Sequence, residues 1–474
     1  MLRLNRLYAE AITPQMYTLN RFPAYTYDKL VLGLLDSHTL AQDPDALAIL
    51  EHTTDTALPH LPGHAVEHGV RWRMDKDPTD PSWTWDESYT MPENLFLASQ
   101  RGGGRRYYDL ALAYLDDRPW FDPLARNENV LNGRHAYSYV NSLSSAAMAY
   151  LVAGNEKHLR AAENGFRMVR EQSFATGGWG PDETLRAPGS DDVAASLTQT
   201  HASFETPCGS YAHFKITRYL LRVTREARYG DSMERVMVNT VLGALPLEQD
   251  GRAFYYSDYN FDGKRVYHKA RWPCCSGTLP QVAADYRINV YFREPQAVYV
   301  NLYVPSTVRW REGGTAWVLT QESGYPFDEH VTATVTCSRS AEQTLHFRIP
   351  EWAEGAEIAV NGARQAGLAV PGRFCRVHRE WRTGDRVELE FPMKMRLEAI
   401  DARHPDTVAL LRGPVVLMAL KPASSLPRMT RAQLLAAQQV GSQEWRVESA
   451  EEPVTMVPFT GIGERPYSTY LKVE

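Results

Sequence analysis

Residues 135–154 read HAYSYVNSLSSAAMAYLVAG. Apolar side chains fall at Ala136, Tyr139, Val140, Leu143, Ala147, Tyr150 and Leu151, which is the i, i+3, i+4, i+7 stripe of an amphipathic helix, and Gly154 supplies its stop. The same period continues downstream. Leu159, Ala162, Phe166 and Val169 mark a second helix, and a third is predicted over about 210–229, stopped by Gly230. Another starts at Asp231 and turns Met233, Val236, Met237, Thr240, Val241 and Ala244 inward. Upstream, helices are expected around 27–42, 45–58, 92–100 and 107–115. Helix–loop–helix units over so long a span point to an α/α toroid rather than a four-helix bundle, although no strict repeat is visible.

Past about residue 295 the period falls to two. Short alternating runs at 298–304, 331–337, 345–349, 357–360, 374–378 and 387–391 are separated by turn residues, and Asn361-Gly362 is a strong hairpin signal. This is the pattern of a β-sandwich. A further β segment is expected at 407–420, and the tail 455–473 can return as a last strand. The fold class is therefore mixed α and β, multidomain: a helical part over 1–290, a β-sandwich over 291–400 and a second β-rich segment over 401–474. No Pro/Ser/Gly linker interrupts 285–297, so the β-rich part is expected to pack on the helices as an integral unit.

The chain has 474 residues, enough for two to four domains. Its net charge of −6 and pI near 6.2 leave no basic excess to neutralise phosphates, which argues against a nucleic-acid partner. No apolar run is long enough to span a bilayer. The N-terminal MLRLNRLYAEAITPQMY lacks an apolar signal-peptide core, so a cytoplasmic location is expected. Five cysteines do not make a disulfide framework, and two of them, Cys274 and Cys275, are adjacent.

Three clusters can carry chemistry. They are Glu205-Thr-Pro-Cys208 opening a helix, Arg271-Trp-Pro-Cys274-Cys275-Ser-Gly-Thr, and the glycine-rich loop Thr176-Gly-Gly-Trp-Gly-Pro-Asp182-Glu183. Zinc favours thiolates and accepts a carboxylate, usually with four ligands. Glu205 and Cys208, three apart at a helix start, can face one way, and the Cys274-Cys275 pair can close the site. The alternative is two small buried hydrophobes with a third thiol nearby by chance. Cys337 and Cys375 sit in strand-like runs and read as core thiols. Among carboxylates, Asp182 and Glu183 lie in a loop suited either to exposed functional groups or to a turn. Glu234, three after Asp231, reads either as a capping box or as a site residue. His135 at its helix start can point into a cleft or cap the helix. Trp72, Trp83, Trp85, Trp179 and Tyr255 offer flat faces to a sugar ring, or to a core.

The order Gly-Gly…Glu183, Glu205…Cys208, Asp-x-x-Glu234, Phe-Tyr-Tyr256, Cys274-Cys275, with the tail Tyr467-Ser-Thr-Tyr470, resembles glycoside hydrolase family 127 and its relative family 146, the β-L-arabinofuranosidases and related enzymes. The resemblance covers about 25–474. It implies an (α/α)6 barrel followed by β-sandwich domains. It also implies zinc (Zn2+) held by Glu205, Cys208, Cys274 and Cys275, with Cys274 as nucleophile and Glu183 as general acid/base. His135, Glu234 and Tyr255 match sugar-contacting positions, and Trp179 is a candidate stacking face beside them. The family pattern reads Glu-Thr-Cys, whereas here a proline intervenes, so the spacing is i, i+3. Family members carry more N-terminal sequence, which makes an N-terminally incomplete barrel the expectation. The partner implied is an oligosaccharide or glycoconjugate, without nucleic acid or membrane, and a homodimer is left open.

Overall fold

The computed structural model describes residues 2–20, 22–68 and 86–474, and the chain divides into two compact units, 1–171 and 172–474. The first unit is helical. At its heart is the helix Ala136–Ala153, in which every residue from Ala136 to Ala149 is buried. The stripe read from the sequence is thus a helix enclosed on all sides. Three of its buried serines make that tolerable, because their hydroxyls find partners. Ser138 meets Tyr89 Oη at 2.6 Å, Ser142 accepts from Trp120 Nε1 at 2.9 Å, and Ser145 donates to the Thr90 carbonyl at 3.2 Å. Helices Pro92–Ala98 and Glu156–Arg170 pack against it. Gly165 lets the latter come close, since a Cβ there would stand 2.7 Å from Leu143 Cδ2.

The second unit begins with the helices Asp192–Gln199, Thr206–Thr224, Ala227–Val236 and Pro273–Ile288, beside a small sheet of Phe204–Glu205, Phe254–Ser257 and Val266–Tyr267. Here two sequence readings need correction. The helix expected to run to Gly230 ends at Thr224, and the one expected to start at Asp231 starts at Ala227. The left-handed residue that ends the first helix is Arg225, at φ 60°. Gly230 lies inside the second helix, where a Cβ would meet Asn301 Oδ1 at 2.1 Å and Arg348 Cδ at 2.6 Å. That glycine permits a close approach to the strands; it does not punctuate the chain.

From Tyr291 onward the chain is mostly β. A six-stranded sheet (Ala363–Arg364, Glu357–Val360, Arg386–Glu390, His330–Cys337, Thr315–Ser323, Ser306–Glu312) and a four-stranded sheet (Arg373–Trp381, Ala341–Ile349, Ala297–Val300, Tyr291–Glu294) share one apolar core. Leu319, Val331 and Val335 enter it from the first sheet, and Val298, Leu345 and Phe347 from the second. Asn361 and Gly362, at φ 52° and 75°, form the expected two-residue hairpin, and Val360 pairs Ala363. A seven-stranded sheet follows, into which the tail returns as Leu471–Lys472 beside Thr407–Arg412. Within this unit the β-rich part is bound directly to the helical part. Asn239 donates to the Pro414 carbonyl at 2.9 Å and accepts from the Val416 amide at 2.8 Å, while Tyr467 Oη donates to the Asp258 carbonyl at 2.6 Å. Among the described residues, no helix is long and apolar enough to cross a membrane.

Candidate active site

Two helix N-termini build the thiol cluster. Glu205 ends the short strand Phe204–Glu205 in an extended conformation and occupies the N-cap position of the helix Thr206–Thr224, so Pro207 falls in the first turn, where its missing N–H costs nothing. Cys208 is the next residue. Cys274 and Cys275 occupy the first turn of Pro273–Ile288, which packs on that helix. Cys208 Sγ lies 3.1 Å from Cys274 Sγ and 3.3 Å from Cys275 Sγ, and Cys275 Sγ donates to Glu205 Oε1 at 3.1 Å. The inserted proline therefore leaves Glu205 in reach of the thiols. These sulfur separations are far beyond a disulfide bond, and all five cysteines are free.

The donor set fits zinc. Three thiols and a carboxylate are the right number and kind of ligand, and the three sulfurs lie within 4.8 Å of one another. A tetrahedral site with Zn–S bonds near 2.3 Å has sulfur–sulfur edges of about 3.8 Å, so only a small outward shift is required. Burial pushes the Cys208 and Cys275 thiols well above their usual range, and the neighbouring Cys274 thiol adds to this. Cys208 and Cys275 are buried, whereas Cys274 is only partly so. Thr278, four residues after Cys274 on the same helix, approaches Cys208 Sγ at 3.1 Å. The sequence reading passed it over, although the i, i+4 spacing marks it as a neighbour.

Glu183 arrives from the glycine-rich loop. Ala175 is tied to Tyr470 Oη at 2.7 Å, and Gly177 and Gly178 close a turn with Phe174. Asp182 and Glu183 follow, both in the left-handed region at φ 54°. The Asp182 amide donates to the Ala202 carbonyl at 2.8 Å, Thr200 Oγ1 to Asp182 Oδ1 at 2.5 Å, and Arg186 to the Pro181 carbonyl at 3.0 Å. Glu183 is half-buried and accepts a hydrogen bond from Tyr256 Oη. Tyr255 and Tyr256 sense both ends of the site. Burial first, then the charges of Glu205, Cys275 and Glu183, pushes each phenol far up, so both stay protonated.

Two expected sugar contacts are spent elsewhere. Trp179 is buried at 1 % exposure, donates from Nε1 to His213 Nδ1 at 3.1 Å and packs edge-on to Phe204, so it offers no face to a ring. Glu234 is buried too. Its Oε1 takes hydrogen bonds from Arg348 at 2.5 Å and Tyr325 Oη at 2.6 Å, and Oε2 faces Trp352 Nε1 at 3.4 Å. Asp231, the supposed partner of a capping box, instead binds the other end of the same guanidinium. Both carboxylates are mid-helix and serve a fully buried arginine. Removing one side of such a pair leaves buried charge uncompensated. Arg348→Met should therefore lower the unfolding free energy in urea by about 3–5 kcal/mol. Adding Asp231→Asn and Glu234→Gln should recover most of that loss.

In the first unit, His135 Nδ1 lies 2.7 Å from Ser138 Oγ and 3.4 Å from Glu87 Oε1, and its ring stacks on His68 at 4.3 Å with 4° between planes. Neither His68 nor Glu87 stood out from the residues around it along the chain. The three groups are within metal-ligand reach of one another. However, a metal lies in the plane of each imidazole that binds it, and two parallel stacked planes share no such point, so this geometry does not suit an ion. The histidines line a cavity of about 570 Å³ together with Glu67, Asn129, Asn132 and Arg134. Trp72, Trp83 and Trp85 lie outside the described residues.

The model for the beta-L-arabinofuranosidase GH127 catalytic domain matches residues 4–287, and that for the GH127 middle domain matches 297–393. The chain belongs to this family. It is accordingly a glycoside hydrolase. Among solved structures, a GH127 beta-L-arabinofuranosidase from Geobacillus stearothermophilus is 20% identical, with TM-score 0.72, over 95% of this chain and 80% of that one. A second GH127 beta-arabinofuranosidase is also 20% identical, with TM-score 0.73, over 95% and 76%. A third, described as a glycoside hydrolase, is 18% identical, with TM-score 0.70, over 95% and 83%. At these identities the structures establish the shared fold, a helical part followed by β-rich parts. No curated protein matches the chain.

Proposed function

We propose that this GH127 member is a retaining glycosidase acting on a β-L-arabinofuranoside or a related sugar, with Cys274 as nucleophile and Glu183 as general acid/base. The observation that carries the reading is the convergence of Glu205, Cys208, Cys274 and Cys275, in which Cys274 is the thiol least enclosed by protein. Glu205, Cys208, Cys274 and Cys275 would hold zinc, whose charge, when bound, favours thiolate at neutral pH. The N-terminal ends of the two helices act in the same direction.

The chain's own groups then suffice for two displacements. Cys274 Sγ attacks the anomeric carbon as the glycosidic C–O bond breaks, and Glu183 gives its proton to the departing oxygen. Water next attacks the same carbon, the C–S bond breaks, and Glu183 takes the water proton. Two inversions give net retention. Tyr255, beside Glu205, Cys275 and Glu183, remains a proposed sugar contact, as does His135 on its own cavity. Family membership also supports reading 1–290 as an (α/α)6-barrel-like catalytic domain, 291–400 as a β-sandwich and 401–474 as a second β-rich segment.

The test pairs elemental analysis with NMR of an aryl β-L-arabinofuranoside digest. One zinc per chain and β-configured arabinose as the first product are expected. An inverted product, or full turnover by metal-free protein with freely titratable Cys208, Cys274 and Cys275, would overturn the reading.

A further inference from the structure

Glu183 sits on a backbone that resists its own conformation. Two consecutive non-glycine residues, Asp182 and Glu183, lie in the sparsely populated left-handed region. The loop holds them there through Ala202, Thr200 and Arg186. This fixes where the Glu183 Cα stands, yet three rotatable side-chain bonds remain between it and the carboxylate. The structure gives the carboxylate a hydrogen bond from Tyr256 Oη, which donates to Oε1. Tyr256 lies on the strand Phe254–Ser257 directly across from Glu205 in the register of the small sheet. One strand thus anchors both the carboxylate of the thiol cluster and the carboxylate of the loop. A phenol has a single proton to give. Donated to Oε1, it ties that oxygen of the carboxylate to the small sheet.

We propose that Tyr256 is the positioning residue of the acid/base: its hydroxyl fixes the Glu183 carboxylate through Oε1. This rests on Glu183 being the acid/base. In this role Tyr256 acts through Glu183.

A double-mutant cycle tests this on paired aryl β-L-arabinofuranosides with good and poor leaving groups, using the zinc-loaded full chain. A hydrogen bond to a charged group of this kind corresponds to about 10- to 100-fold in rate. Tyr256→Phe should lower kcat on the poor leaving group by about that factor, with KM within about twofold, a much smaller loss on the good leaving group, and unchanged zinc content and Tm. Tyr256→Gln, which keeps a donor, should recover part of the loss; it also serves if the phenylalanine variant folds poorly. In a Glu183→Gln background, Tyr256→Phe should add almost nothing. Equal slowing of both substrates by Tyr256→Phe, or full additivity with Glu183→Gln, overturns the positioning role. If Glu183→Gln alone shows no leaving-group dependence, the acid/base reading has failed and the positioning role falls with it.

Discussion

Cys274→Ala should give a folded, zinc-binding protein whose kcat/KM is lower by about four orders of magnitude or more. Removing a nucleophile deletes the step on which every later one depends, so binding energy elsewhere cannot compensate. The substitution is mild for the fold. Cys274 lies in the first turn of a helix and is only half-buried, and alanine is a good helix former. Glu205, Cys208 and Cys275 remain as three ligands, enough for zinc with water in the fourth place. Zinc content measured on the same sample separates a missing nucleophile from a dismantled site. Cys208→Ala is the contrasting control: that thiol is buried and touches both of the others, so its loss should empty the site as well as stop turnover. If Cys274→Ala keeps zinc and turns over within about tenfold of the parent, the thiol cluster is structural. Hydrolysis would then fall to carboxylates such as Asp182, Glu183 and Asp191. The structure gives that alternative little to work with, because Asp191 is exposed and paired with Arg403 and Asp182 is paired with Arg186.

What could be read in advance was whatever the chain encodes locally. The longer helices of the first unit from Pro23 onward followed from their period, whereas Leu2–Ala11 was not read, and the hairpin at Asn361-Gly362 followed from the backbone freedom those two residues share. The thiol motifs alone left open a metal site or buried thiols, and it was the family resemblance that joined Cys208 to Cys274, 66 positions further along the chain. What failed was residues whose meaning lies in a distant partner. Gly230 looks like a helix stop until Asn301 and Arg348 are seen pressing on it. Asp231 and Glu234 have capping-box spacing, yet their partner is Arg348, more than a hundred residues away. Trp179 sits in a loop that reads as exposed, but His213 and Phe204 enclose it. Tyr256 was visible as part of a motif, and nothing along the chain could say that its hydroxyl reaches Glu183.

Glu183→Gln should divide substrates by leaving group. Proton transfer by a positioned acid is worth about 10²–10⁴-fold where the departing alkoxide is poor, and little where it is stable without a proton. Hydrolysis of an alkyl or disaccharide β-L-arabinofuranoside should therefore fall by about a thousandfold. For a nitrophenyl substrate, attack by Cys274 should proceed nearly as before. The second step then becomes limiting, because water has lost its base, and a thioglycosyl-enzyme should accumulate as a burst of nitrophenol followed by slow turnover. Azide needs no base. Added to the nitrophenyl reaction, it should restore turnover in proportion to its concentration and yield a β-configured glycosyl azide, while leaving the poor-leaving-group substrate slow. The glutamine keeps the carbonyl oxygen that Tyr256 can still donate to, so the loop geometry should survive and Tm should not move. Equal slowing on both substrate types with no effect of azide removes Glu183 from the role. The left-handed pair at Asp182 and Glu183 would then have to be explained by the turn alone, and Asp182, its carboxylate already held by Thr200 and Arg186, would be the next group to replace.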